Sequence, residues 1–91
     1  MDTVNEIYRL LPDSVALMNL SLSDGYHLTF QGLSNRNSDI NDLQRAFVNS
    51  DYFDNVNLDY VNKRITQDGE VNYFKISCVI KDQGQANGQN Q

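Results

Sequence analysis

The sequence is poor in the residues that carry covalent or metal chemistry. It has one cysteine, one histidine and no tryptophan. A single thiol cannot form an internal disulfide, and no cluster of cysteine and histidine has the spacing of a zinc site. His27 has no neighbours in the sequence that would tune it as a catalytic base. We therefore expect no metal, no cofactor and no catalytic residues, and we predict that the chain is not an enzyme.

Positive charge is also scarce. Seven Lys and Arg residues stand against twelve Asp and Glu residues, and the formal net charge is −5. Only Lys63 and Arg64 are adjacent. Phosphate contacts supply most of the affinity for nucleic acids, so we expect no nucleic-acid partner. The same shortage argues against electrostatic attachment to a membrane, and no apolar run approaches the ~20 residues that span a bilayer.

The 91 residues suffice for one domain with one core, and the apolar pattern predicts six elements in the order αββαββ. Pro12 ends the first helix, Ser38 is a suitable N-cap for the second, and glycines after Asp24 and Asp68 mark two hairpins. The predicted ranges are 3–11 and 39–49 for the helices, and 15–23, 26–32, 56–66 and 71–80 for the strands.

Alternation of apolar residues assigns faces within the strands. In strand 1 the phase changes after Leu17, which predicts a bulge near Met18-Asn19. The other strands predict one apolar face each. Those faces are Tyr26, Leu28 and Phe30 in strand 2, Val56, Leu58 and Tyr60 in strand 3, and Phe74, Ile76, Cys78 and Ile80 in strand 4.

The element order is repeated within the chain, because VNEIYRLL at 4–11 aligns with INDLQRAF at 40–47. Two αββ halves predict an α+β, circularly permuted ferredoxin-like fold. It has a four-stranded antiparallel sheet in the order 3-4-2-1, with two helices on one face. We assign residues 1–82 to this domain. The tail 83–91 has one apolar residue and is predicted to be disordered.

Several short motifs resemble those of PilN-type pilus assembly proteins. Leu11-Pro12 closes the first helix, Gly32-Leu33-Ser34 follows strand 2, and SDYFDNVNL at 50–58 leads into strand 3. The last strand, 74–78, is also similar in character. The resemblance covers about residues 3–81. Each motif alone is a packing or turn signal, so the resemblance rests on the order and spacing of the motifs together.

The resemblance implies a scaffold domain of a type IV pilus assembly platform at the bacterial inner membrane. Related domains occur in type II secretion and competence systems. The expected location is extracytoplasmic, in the periplasm or cell envelope, and membrane contact would depend on an N-terminal segment absent from this chain. The implied partners are a PilO-like protein, a second copy of the chain, or both, together with other components of the pilus machine.

Strand 1, or helix 1 beside it, is the expected interaction surface, because strand 1 carries no charge from Val15 to Ser23, whereas strand 3 carries Asp59, Lys63 and Arg64. The candidate interface residues are Tyr8, Leu17, Met18, Asn19, Leu20 and Tyr60. Tyr26, Tyr60 and Tyr73 either form an exposed patch or simply line the sheet. The alternative function is a small ferredoxin-like regulatory domain that binds a small-molecule ligand, although the junction 32–38 lacks a glycine-rich loop or metal-binding side chains.

Overall fold

The computed structural model describes residues 3–81, which form two helices and four strands in the predicted order. The predicted disorder of residues 83–91 concerns residues outside this part and stays a prediction. The elements are α1 (Thr3–Leu10), β1 (Val15–Ser23), β2 (His27–Ser34), α2 (Asn37–Asn49), β3 (Phe53–Thr66) and β4 (Gly69–Ile80).

The four strands form one antiparallel sheet in the order β1-β2-β4-β3. This confirms the predicted order, read from the opposite edge. β2 and β4 are central, whereas β1 and β3 each have a single neighbour within the domain. The free side of each edge strand presents backbone groups that the sheet itself does not pair.

Both helices pack on the same face of the sheet. Phe30 and Phe74 project from the central strands towards the helices, and the rings of Phe30 and Phe47 lie 5.0 Å apart. Ile7 of α1 and Leu43 of α2 are fully buried in the same cluster. The opposite face is uncovered by any described element, so the molecule is a two-layer α+β fold, as predicted.

The predicted bulge in β1 is confirmed. The register shifts between Leu17 and Asn19, after which Leu20 lies opposite Phe30 and Leu22 opposite Leu28. Directly opposite residues share a face of an antiparallel sheet, so both leucines point to the helix side. The extra residue therefore returns the apolar positions of β1 to the face that carries the core.

Two bulges in β3 were not predicted, and one of them overturns the assignment of Tyr60. Leu58 lies opposite Ile76, on the helix side, whereas Tyr60 lies opposite Lys75, on the uncovered side. The prediction that Tyr60 shares a face with Leu58 was wrong because a register shift between them breaks the alternation. Val61 then resumes the apolar face opposite Phe74.

Gly32 allows β1, β2 and the core to approach closely. A Cβ atom at this position would lie 2.5 Å from the carbonyl oxygen of Ala16 and 2.8 Å from the ring of Phe74. Both distances are shorter than side chains tolerate, so the position requires glycine for space.

Several predicted boundaries need correction. α2 begins at Asn37 with Arg36 as its N-cap residue, so Ser38 is not the cap. β2 begins at His27, because Asp24 and Gly25 adopt positive φ of 58° and 81° and leave Tyr26 in the turn, exposed. The apolar residues of α1 are buried only in part, because Ile7 is the one apolar residue of the helix that is fully buried. Val4 and Tyr8 are exposed.

Candidate interaction surfaces

The edge of β1 carries an uncharged, partly apolar surface. Met18 lies at the bulge and is 59% exposed, Leu20 is 38% exposed, and Asn19 lies between them in the sequence. Among the described strands, only β2 pairs with β1, so the other side of β1 has no strand partner. The structure therefore brings Met18, Asn19 and Leu20 together at one sheet edge.

The other predicted interface residues are spread over the molecule. Leu17 packs against the core, Tyr8 is exposed on α1, and Tyr60 lies on β3 at the opposite edge of the sheet. The chosen residues therefore form one local group of three and three separate positions.

Leu22 belongs to the same surface but was not among the predicted interface residues. It is 56% exposed, and its side chain shares the helix-side face with Leu20. The sequence signal was present, because Leu20 and Leu22 are two residues apart in a strand. The pairing register was needed to show that α1 and α2 leave both leucines partly uncovered.

A polar row crosses the uncovered face of the sheet from edge to edge. The Asn19 side-chain amide donates to Gln31 Oε1 at 3.2 Å, and Gln31 Nε2 donates to the Tyr60 hydroxyl at 2.9 Å. Lys75 lies between Gln31 and Tyr60 in the sheet. The hydrogen bond to Gln31 holds the Asn19 side chain over the uncovered face of the sheet. The side chain therefore points away from the free side of β1.

The tyrosines do not form a single exposed patch. The ring of Tyr26 lies 4.5 Å from that of His27, at the turn between β1 and β2. Tyr60 and Tyr73 line a shallow hollow with Arg64 on the uncovered face, towards the other end of the sheet. The two rings therefore belong to the surface of β3 and β4 alone.

The edge of β3 differs from that of β1 because it is charged. Asp59 accepts a hydrogen bond from the Ser77 hydroxyl at 3.1 Å, and the Arg64 guanidinium lies 5.9 Å from the centre of the Tyr73 ring. Lys63 Nζ lies 3.6 Å from a Glu70 carboxylate oxygen. Acidic side chains thus precede basic ones along the strand.

A buried carboxylate joins α1 to the end of α2. Glu6 is 8% exposed, and its two oxygens accept hydrogen bonds from Arg9 Nε and Nη2 at 2.9 and 2.6 Å. The Ser50 hydroxyl donates to the same carboxylate at 3.1 Å. These donors lower the pKa of Glu6 against the opposing effect of burial.

A second buried carboxylate, Asp39, organises the start of α2. It accepts hydrogen bonds from the hydroxyls of Ser14 and Ser34 at 2.5 and 3.0 Å, and from the Arg36 guanidinium. The bond from Ser14 is the main cause that lowers the pKa of Asp39. The motif residue Ser34 therefore has a structural role, which sequence reasoning did not identify.

The residues with reactive side chains lie in ordinary surroundings. Burial raises the pKa of the Cys78 thiol to about 12, so the thiol stays protonated near neutral pH. His27 is exposed, with Nδ1 3.7 Å from Asp24 Oδ2. Among residues 3–81 no three ionisable side chains are grouped as metal ligands would be.

Concave sites are shallow and open. One hollow, with a volume of about 600 Å³, lies at the turn end of the sheet, between Asp24, Tyr26 and Lys81. It also contains Asp54 and the end of β4. None of the residues predicted as interface candidates lines it. Neither α1 nor α2 has the length and hydropathy to cross a bilayer, within the described range 3–81.

Comparison with known proteins identifies a family. Searches of curated proteins and of solved structures gave no significant match. A family model described as fimbrial assembly protein (PilN) matches residues 2–80, which include every helix and strand described above. The match also contains Leu11-Pro12, Gly32-Leu33-Ser34 and the segment 50–58, which carried the resemblance. The chain therefore belongs to the PilN family of fimbrial assembly proteins.

Proposed function

We propose that this domain is a scaffold of the pilus assembly platform and works by binding a PilO-like partner along the free edge of β1. Membership of a fimbrial assembly family establishes the general role in pilus assembly. The observation that carries the finer proposal is the uncharged edge with exposed Met18, Leu20 and Leu22. A strand from the partner would extend the sheet and cover these side chains.

The chemistry of this edge suits strand addition. Between Val15 and Ser23 no side chain is charged, so an incoming strand meets neither repulsion nor a buried ion. Leu20 and Leu22 offer apolar area on the helix side, and a hydrogen bond to Gln31 holds Asn19 on the uncovered face. Backbone pairing would supply affinity, and the two leucines would select an apolar surface on the partner.

The proposed setting is the extracytoplasmic side of the inner membrane, and the proposed role is non-enzymatic. Family membership supports both, and the exposed surfaces offer packing area in place of reactive groups. In such an assembly, anchoring in the membrane would raise the effective concentration of the two domains. We therefore expect the isolated domain to bind its partner weakly.

A charge on the edge of β1 tests this proposal. Met18→Lys and Asn19→Lys should each weaken binding to a PilO-like partner by about tenfold or more, because a lysine there would lie in the new strand pair. Val48→Lys on α2 is a matched control, since Val48 is 57% exposed and Met18 is 59% exposed. Binding can be measured by sedimentation or by titration of the labelled partner.

The outcome against the proposal is also defined. If both β1 variants bind the partner as tightly as the parent while the Val48 variant does not, the interface lies on the helical face. If the folded parent domain binds no PilO-like protein at high concentration, the scaffold proposal loses its basis. Thermal melts of all three variants must match the parent to exclude misfolding.

A further inference from the structure

The free edge of β3 has a charge pattern that is complementary to itself. On the uncovered face, Asp59 precedes Arg64 along the strand, and the aromatic ring of Tyr60 lies next to Asp59. On the helix-side face, Ile65 is 74% exposed, more than any other large apolar side chain of the described residues. An antiparallel copy of the same strand would reverse this order and place Asp59 of each copy near Arg64 of the other.

We propose that β3 pairs with β3 of a second copy of this chain, in antiparallel orientation, around a two-fold axis at Asn62. Such an interface is isologous, because each contact occurs twice. The two sheets would join into one continuous sheet whose outer edges are the two β1 strands. The β3 surface is separate from the β1 surface, so this inference does not depend on the proposed function.

The bulge at Leu58–Tyr60 makes the faces match across this pair. With Asn62 on the axis, Val61 meets Lys63 of the second copy, and Tyr60 with the adjacent Asp59 meets Arg64. Both Tyr60 and Arg64 lie on the uncovered face, as antiparallel pairing requires. The extra residue of the bulge gives Arg64 both a ring and a carboxylate as neighbours.

The same register covers the exposed isoleucine. Beyond the bulge, Leu58 lies opposite Ile65 of the second copy, and both side chains point to the helix side. Leu58 is partly buried against the core, so Ile65 would extend an existing apolar surface. Without the bulge, regular alternation would place Leu58 on the uncovered face, opposite Thr66 of the second copy, and the leucine–isoleucine contact would be lost.

The charges on β3 select a copy of the same strand over other strands. An arbitrary strand would leave Asp59 and Arg64 without partners in the new pair, which disfavours association. A second β3 supplies an opposite charge for each of them. One strand pair buries little surface, so we expect dimers only at high protein concentration.

Charge reversal with complementary mixing tests the arrangement. Asp59→Lys alone should weaken the dimer about tenfold or more, because it places like charges together twice across the axis. Arg64→Glu alone should do the same. An equimolar mixture of the two variants should restore association as a heterodimer. In that heterodimer the positive charge introduced at position 59 lies opposite the negative charge introduced at position 64, and the native Arg64 and Asp59 meet at the other contact. Sedimentation equilibrium measures all three cases.

A cysteine on the axis supplies a second readout. In an antiparallel pair the two Cα atoms are about 4.5–5.5 Å apart, which a disulfide can bridge. Asn62→Cys should therefore form a covalent dimer on mild oxidation, much faster than Asn57→Cys, whose counterpart across the pair is Thr66. The buried Cys78 thiol stays protonated and should not react.

The results that would overturn the inference are specific. The inference is wrong if the parent stays monomeric at the highest soluble concentration and Asn62→Cys forms a covalent dimer no faster than Asn57→Cys. If neither charge reversal weakens dimerisation, or if mixing the two variants does not restore it, the interface lies elsewhere. Met18→Lys should leave this dimer intact, so failure here is distinguishable from failure of the β1 proposal.

Discussion

The two αββ halves of the molecule share an element order, but they contribute unequally to the core and to the exposed apolar surface. The second half has the longer helix, 13 residues against 8, and the longer strands, 14 and 12 residues against 9 and 8. It supplies seven of the eleven buried apolar residues of the described chain, including three of the four phenylalanines. The first half supplies six of the nine large apolar side chains that stay exposed.

This asymmetry links stability to function. Apolar side chains that the core does not use are concentrated in α1, β1 and the following turn, at positions such as Tyr8, Met18 and Leu22. Within the first half, Met18, Leu20 and Leu22 lie close together on β1, and exposed apolar area concentrated in this way is typical of an interaction surface. The second half therefore holds the fold together, and the first half presents the β1 surface proposed for the partner.

Removing a ring from the second half should have the largest effect on stability. Phe53 is 2% exposed and stacks on Phe47 with ring centres 4.6 Å apart. Phe53→Ala should lower the free energy of unfolding by about 3–5 kcal/mol, a large part of what a domain of this size possesses. Urea denaturation at low temperature measures it, and Phe53→Leu supplies a milder variant if the alanine variant does not fold.

The matched change in the first half is Leu22→Ala. Because Leu22 is more than half exposed, its removal should alter the free energy of unfolding by less than about 0.5 kcal/mol. If both substitutions lower the free energy of unfolding by similar amounts, the second half does not stabilise the fold more than the first.

Crowding the junction of β1 and β2 should have the next largest effect. Gly32→Ala places a methyl group against the Ala16 carbonyl oxygen and the Phe74 ring, and should cost about 1–3 kcal/mol. β1 pairs with β2 alone in the sheet, so hydrogen exchange should accelerate most in β1. Equal acceleration in β3 and β4 would mean that the halves do not open separately.

The fold could be predicted from the sequence because its signals are local and repeated. Pro12, Asp24-Gly25 and the apolar periodicity each mark a boundary or a turn, and the repeated αββ order then limits the topology. The β1 bulge was also predictable, because the apolar phase visibly changes at Met18. The bulge before Tyr60 was not, because Tyr60 is itself apolar enough to continue the pattern across the shift.

The interaction surfaces were predictable only in part. The absence of charge in β1 identified that edge from the sequence alone. Whether Leu20 and Leu22 are covered depends on the lengths and placement of two helices, which periodicity does not give. The buried carboxylates Glu6 and Asp39 were likewise missed, because their hydroxyl donors Ser50 and Ser14 are distant in the sequence.

Acid should destabilise the domain through these two carboxylates. Their pKa values are lowered in the folded state, so their stabilisation is complete above the unfolded values, about 4.3 for Glu and 3.9 for Asp. It is lost as the pH falls through the lower folded values. Melting temperature should therefore be steady near neutral pH and decline below about pH 4.

Glu6→Gln should flatten part of this decline and lower stability at neutral pH, because Arg9 and Ser50 lose their charged acceptor. Thermal melts between about pH 2.5 and 7 would measure it. A decline of the same size in the parent and in Glu6→Gln would show that Asp39 and the remaining carboxyls account for the acid sensitivity.

The smallest expected effect comes from the equivalent pair in the second half. Asp42 and Arg45 align with Glu6 and Arg9 in the repeat and form an ion pair at the same spacing, with Arg45 Nη1 3.1 Å from Asp42 Oδ1. Both side chains are more than half exposed, so water screens the pair and holding two flexible side chains costs entropy. Asp42→Asn should change the free energy of unfolding by less than about 0.5 kcal/mol. Urea denaturation of Asp42→Asn and of Glu6→Gln at neutral pH gives the decisive comparison, since the two positions share sequence spacing and differ in burial. A loss at Asp42 equal to that at Glu6 would mean that the repeated charge pair stabilises the helices themselves, and that burial between α1 and Ser50 adds nothing.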